Sequence, residues 1–263
     1  MPKTAISADH DNQRAISEIR NQKVIKSNAL IQKSRFHLSL QEQKIILYLI
    51  SKVKPNDNNF LLAEFDTTEF CNVCGIGRSG KNYADIANAI KLLADKSIWI
   101  PIDDKSKALL RWIDQTIINE KTGAVQVKLS DLLKPYLLQL HNNFTQFELL
   151  YTLAMKSRYS VRLYELLRSY EFKHTIAFDI GELKELVNAE CYTNFTDFKR
   201  FVIATAVSEI EALSDINVTY EVIKSGRKYD KILFSIKLKQ DMDDRFAVWK
   251  NIQAILDNKL ISK

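Results

Sequence analysis

The chain has 263 residues, 46% hydrophobic and 27% charged, the balance of a folded globular protein of one large or two modest domains, which excludes wholesale disorder. Six Gly and four Pro are too few for Gly-rich nucleotide-binding folds or for all-β folds full of tight turns, which depend on residues tolerant of φ > 0. The net charge of +6 is compatible with a nucleic-acid partner without requiring one.

Residues 1–22 are polar and lack the apolar core of a secretory signal, and no apolar run reaches the ~18 residues of a membrane span. Three cysteines, Cys71, Cys74 and Cys191, do not make a disulfide framework. The expectation is a soluble cytoplasmic protein with no membrane contact and with a flexible segment at 1–23.

Ser39 and Glu42 form a capping box, and 44–53 continues it as a buried helix stopped by Pro55 and the turn-forming run at 56–59. A short strand is expected at 60–65, then a short helix from Thr67 through Cys74, ended by Gly75. The stretch 81–96 places Tyr83, Ile86, Ala87, Ile90 and Leu93 on one helical face and Asn82, Asp85, Asn88 and Lys91 on the other. Strands at 98–102 and 109–119 follow, and Gly123 turns the chain into a third at 124–129. The order is helix, strand, helix, helix, hairpin.

The second half repeats this order. It predicts helices at 159–172, 182–189 and 195–213, a strand at 175–180, and a hairpin of 216–223 with 231–239 across Ser225-Gly226-Arg227-Lys228. Asn82-Tyr-Ala-Asp-Ile86 aligns with Asn194-Phe-Thr-Asp-Phe198, Leu47-Tyr48 with Leu163-Tyr164, and Phe65-Asp66 with Phe178-Asp179. Three matches in one order imply duplication of a single unit. That unit is a winged helix, whose second helix is offered to a major groove and whose hairpin forms a wing. Lys224, Arg227, Lys228 and Lys231 then fall at the second wing tip, where phosphates are met. The fold class is α+β, mostly helical, with winged-helix domains at 24–142 and 143–240 and a tail at 241–263.

Other motifs are near misses. Gly75-Ile-Gly-Arg-Ser-Gly-Lys-Asn82 approaches a P-loop, but Asn82 lacks the magnesium-binding hydroxyl and a helix precedes the segment. It reads instead as a helix–helix turn turning Arg78, Ser79 and Lys81 toward DNA phosphates. Cys71-Asn-Val-Cys74 has no second pair for zinc. His10, His37, His141 and His174 are scattered, and neither G-x-S-x-G nor H-E-x-x-H occurs. No metal, cofactor or catalytic residue is expected.

Ser27-Asn-Ala-Leu30, Leu40-Gln-Glu-Gln-Lys44, Asn82-Tyr-Ala-Asp85, Lys134-Pro-Tyr-Leu-Leu138, Phe144-Thr-Gln-Phe147, Ser160-Val-Arg-Leu-Tyr-Glu-Leu-Leu167 and Ser214-Asp-Ile-Asn217 resemble motifs of the iteron-binding plasmid replication initiators. These have two winged-helix domains, and the resemblance runs over about residues 24–239. It implies a non-enzymatic protein that binds direct repeats in double-stranded origin DNA, helps open AT-rich DNA, and recruits the host initiator and replicative helicase. It also implies a homodimer in equilibrium with monomer. In the family the first domain serves subunit and phosphate contacts and the second the main readout.

Carried onto this chain, the resemblance places a recognition helix starting near Asn194, with Thr196, Lys199 and Arg200 as base or phosphate contacts. Arg200 is the leading base reader, because arginine to guanine is the commonest specific pair. Asn194 and Thr196 also fit a capping role. In the first domain the candidates are Arg78, Ser79, Lys81, Asn82 and Asn88; in the second wing they are Arg227, Lys228 and Lys231. The competing class is a winged-helix transcriptional repressor acting as a dimer at an operator.

Overall fold

The computed structural model describes residues 3–261 apart from Pro55, Leu61, Arg78 and Glu120. Helix α1 (Lys3–Arg20), strand β1 (Lys23–Ser27) and helix α2 (Asn28–Lys33) precede the first winged helix. That unit opens with α3 (Leu40–Ser51), started by the expected capping box: Ser39 Oγ accepts from Glu42 N, and Glu42 accepts from Ser39 N. Ile45 through Ile50 are all buried, so α3 is apolar on every side and runs through the middle of the core.

Strand β2 (Ala63–Asp66) leads into α4 (Thr67–Cys74), which ends on Gly75 in the left-handed conformation. Ser79 then caps α5 (Gly80–Ala94), the second helix of the helix-turn-helix. The single strand expected at 109–119 is two. Residues of β3 (Ser97–Pro101) pair with β4 (Lys107–Arg111) as a separate hairpin, and the chain turns at Trp112 before β5 (Ile113–Ile118) pairs with β6 (Ala124–Leu129) as the wing. Trp112 causes the break, since its indole is fully buried edge-on against Phe36 and pulls the backbone out of the hairpin.

After a short 3₁₀ turn (Asp131–Leu133) and α6 (Lys134–Leu137), strand β7 (Phe144–Glu148) pairs antiparallel with β1. Helices α7 (Leu150–Leu153) and α8 (Arg158–Ser169) begin the second unit, followed by β8 (Thr175–Asp179) and α9 (Ile180–Leu186). Its long helix comprises α10 (Phe195–Asp197), a π-helical stretch (Phe198–Ala204) and α11 (Thr205–Leu213). The wing is β9 (Ile216–Ser225) with β10 (Lys228–Leu238).

The sheet orders are β2-β6-β5 and β8-β10-β9, the same antiparallel topology twice, as duplication requires. Where the domains meet, the buried Lys26 ammonium donates to Glu165 at 2.6 Å. Arg162, buried beside it, donates to the carbonyls of Ile31, Ser34 and Leu186. Burial pushes the Lys26 ammonium pKa below its ordinary value, against the pull of Glu165.

One expectation is corrected at the termini, that of a flexible N-terminal segment. Residues 3–20, expected as a flexible segment, are helical, and the 241–263 tail contains α12 (Met242–Ile261), with Ile252 and Leu256 fully buried. A polar N-terminal helix escapes pattern reading because its anchor, Arg20, is satisfied by groups far away in sequence.

Candidate nucleic-acid interface

The second domain's polar surface starts at Asn194, whose side chain accepts from Thr196 N at 2.7 Å and caps α10. Thr196, Lys199 and Arg200 are all exposed. The helix is pinned below by Phe198, Val202, Ala206 and Ile210, buried at four-residue intervals. In a 3.6-residue helix, positions four apart drift by ~40° at each step; the i→i+5 turns of the π-helical stretch remove most of that drift. The opposite row is therefore Thr196, Arg200, Ala204 and Ser208, every one exposed. The Arg200 guanidinium lies over the exposed Phe201 ring, 5.1 Å from its centroid, and Phe201 stacks on Tyr192. Ala204 and Ser208 were not among the expected contacts. The four-residue spacing of buried side chains is the signal that could have found them.

The second wing reaches further than expected, because its strands continue to a two-residue turn at Gly226-Arg227. Gly226 has φ 62° there while Arg227 does not enter the left-handed region, which is a turn with glycine at its first central position. Arg227 and Lys228 are exposed at the tip. Tyr229 folds back, stacking on Phe195 at 4.1 Å between ring centroids, while the Lys224 ammonium sits 4.7 Å from the centroid of the Tyr229 ring. Wing tip and helix start thereby form one surface carrying Thr196, Arg200, Lys224, Arg227 and Lys228.

Lys231 does not belong to that tip. It lies inside β10 opposite Asp179 of β8, its ammonium 3.8 Å from that carboxylate. The alternation of strand faces and the longer wing displace it. Lys239, directly after β10, is buried and donates to the Ser214 carbonyl, capping α11 from its C-terminal end. Burial lowers its pKa.

In the first domain, Ser79 Oγ accepts from Asn82 N at 3.1 Å, and Lys81 is exposed one residue into α5. Asn82 is half-buried and donates its side-chain amide to the Gly77 carbonyl at 2.6 Å, so its amide hydrogens are partly committed to the turn. Asn88 is exposed along a groove of about 370 Å³ between α5 and the first wing. Arg78 lies outside the described residues. Among the described residues no cluster of three His, Cys, Asp or Glu side chains is placed to hold a metal ion. The Gly75–Asn82 segment joins two helices, not a strand and a helix. No described helix is long and apolar enough to cross a membrane.

A family model described as "Initiator Replication protein, WH1" matches residues 23–168, and one described as "Initiator Rep protein, WH2" matches residues 179–236. A replication initiation protein of Escherichia coli is 26% identical over 234 residues, covering 84% of this chain and 71% of that protein. The PI protein of Escherichia coli is 28% identical over 152 residues, 51% of this chain and 49% of that one. Among solved structures, the Pi initiator protein in complex with iteron DNA shares the fold with a TM-score of 0.69 at 21% identity, covering 84% of this chain and 99% of that chain.

Proposed function

The chain belongs to the replication initiator family built from two winged-helix domains, and on that premise we propose that it binds direct repeats in double-stranded origin DNA and starts plasmid replication there. One observation carries the reading: the Phe195–Tyr229 stack unites the start of a recognition helix with a basic wing tip. A helix start offered to the major groove reads base edges, and a cationic wing beside it holds phosphates in register. The similarity to an initiator crystallised on iteron DNA supports the choice of repeats as the target.

In this reading Arg200 reads a guanine edge, and Thr196, Lys199, Arg227 and Lys228 set position on the duplex. The first domain adds phosphate contacts through Ser79 and Lys81 and serves as the dimerisation surface, with dimers in equilibrium with monomers in the cytoplasm. The protein acts by binding, by promoting opening of adjacent DNA and by recruiting the host initiator and helicase, with no cofactor and no catalysis of its own.

The test is titration of the purified chain onto origin-region DNA and onto a random duplex at two salt concentrations. A preference of ~10³-fold or more with stepwise occupancy matching the repeat number is the expected result. Equal, salt-sensitive binding to both DNAs overturns the reading. One tight dimer-sized complex on a single operator would instead favour a repressor.

A further inference from the structure

The two terminal helices lie outside the stretches that the family models match. Arg20, at the end of α1, is 1% exposed. Its Nε donates to the Val73 carbonyl and one Nη to the Asn72 carbonyl, each at 2.9 Å, satisfying groups at the C-terminal end of α4. Its other Nη donates to Asp257 at 2.9 Å and to Gln253, both on α12. A planar guanidinium with five donors suits such a three-way junction, and an ammonium does not.

Helix α12 begins in the second domain and ends on the first. It packs against α11, the C-terminal half of the second recognition helix, and then crosses to α4. There the backbone of Leu256 lies directly over Gly75, so close that a Cβ on Gly75 would sit 2.6 Å from the Leu256 carbonyl oxygen. Gly75 is the turn residue immediately before the loop into α5. The Trp249 indole N–H donates to Asn21, adding a second tie between α12 and the N-terminal segment. Thus α12 joins the C-terminal half of the second recognition helix to the turn that precedes the first one, independently of the β1–β7 sheet at the domain junction. Domains joined by a modest interface move relative to one another unless something further fastens them.

We propose that Arg20 and α12 form a strap that fixes the separation and angle of the two recognition helices, and hence the spacing between the two DNA half-sites that one monomer accepts. Arg20 is a positioning residue in this scheme and touches no DNA. The proposal rests on the DNA-binding reading only in its second half, and the strap itself is testable without DNA.

The first experiment places spin labels on the full chain at Lys81→Cys and Lys199→Cys in a Cys191→Ser background and measures their distance distribution by pulsed electron resonance. The otherwise unaltered chain gives one narrow distance. Asp257→Ala, which removes an exposed partner and leaves the α4 carbonyls bonded to Arg20, is expected to broaden it at least twofold. Arg20→Ala broadens it further, and Arg20→Lys does not restore it. Unchanged widths in a folded Asp257→Ala protein overturn the strap.

The second experiment uses duplexes carrying one origin repeat with zero, two or five base pairs inserted between its protected halves, the last rotating one half by about half a turn. The unaltered chain is expected to lose at least tenfold on two inserted base pairs, and Asp257→Ala less than threefold. Equal losses in both proteins overturn the spacing role. Failure of the unaltered chain to prefer the repeat over random DNA sinks the initiator reading, and the label distances alone then decide the strap.

Discussion

The ring of Phe195 lies 4.1 Å from that of Tyr229, so the first residue of the second recognition helix is stacked on the tip of its own wing. Aromatic pairs of this kind contribute ~0.5–1.5 kcal/mol beyond their area. Replacing Tyr229 with Ala should lower stability by about that amount and free the wing to move separately from the helix. Hydrogen exchange is expected to accelerate at Ser225–Tyr229 while the β8–β10 pairing stays protected. Uniform exchange changes across the domain would show that the stack is not what joins them.

Arg200 and Lys228 should fail in different ways. Arg200→Ala is expected to cost ~1–3 kcal/mol on the cognate repeat and to relax preference at one base position. Lys228→Ala should weaken binding to every sequence and reduce the slope of log K against log salt by about one. Binding isotherms at several salt concentrations separate the two. An Arg200→Ala loss that is equal on random DNA would make Arg200 a phosphate contact.

The Lys26–Glu165 pair tests the domain junction. Glu165→Gln leaves the ammonium buried without its counter-charge and should cost ~3–5 kcal/mol in denaturant unfolding, whereas Lys26→Met combined with Glu165→Leu should cost far less. The pH dependence has a definite sign. With the folded pKa of Lys26 below its ordinary 10.5, the unfolded chain holds the proton to higher pH. The contribution of Lys26 to stability therefore rises with pH through the window between the lowered folded pKa and 10.5. Subtracting the pH profile of Lys26→Met isolates it.

Much of the fold is legible in the sequence because its signals are local. The Ser39–Glu42 capping box, the Gly75 stop and the Asn194 cap each act within a few residues, and each appears where the sequence placed it. The features that escaped depend on distant partners. Trp112 ends a strand by burying itself against Phe36, and Arg20 makes a helix of a polar segment by reaching α4 and α12. The π-helical register of 198–204 is hidden for a different reason, since an apolar period of 3.6 residues does not distinguish it from an α-helix. It carries Ala204 and Ser208 into the Thr196–Arg200 row, whereas strand alternation takes Lys231 away from the wing tip.

The cysteines give a direct test of burial in the first domain. Cys71 and Cys74 are buried, and burial together with the charge of Asp66 pushes the Cys71 thiol up to about 11, so it holds its proton at neutral pH. Cys191 is exposed. Iodoacetamide at pH 8 should add to Cys191 alone in the native protein and to all three sites in denaturant, as read by intact mass. Labelling of Cys71 at a comparable native rate would contradict the packing of α4.

The seating of Leu256 on Gly75 has a consequence for biosynthesis. Domains generally fold in the order in which the ribosome releases them, N-terminal first. Here the surface of the first helix-turn-helix that α12 covers stays bare until α12, which follows the whole second domain, has been made. A nascent chain arrested after β10 would have both wings and both recognition helices, yet it would leave the α4 end open to water. The first domain is thus begun before the second is made and finished only after α12 has followed it.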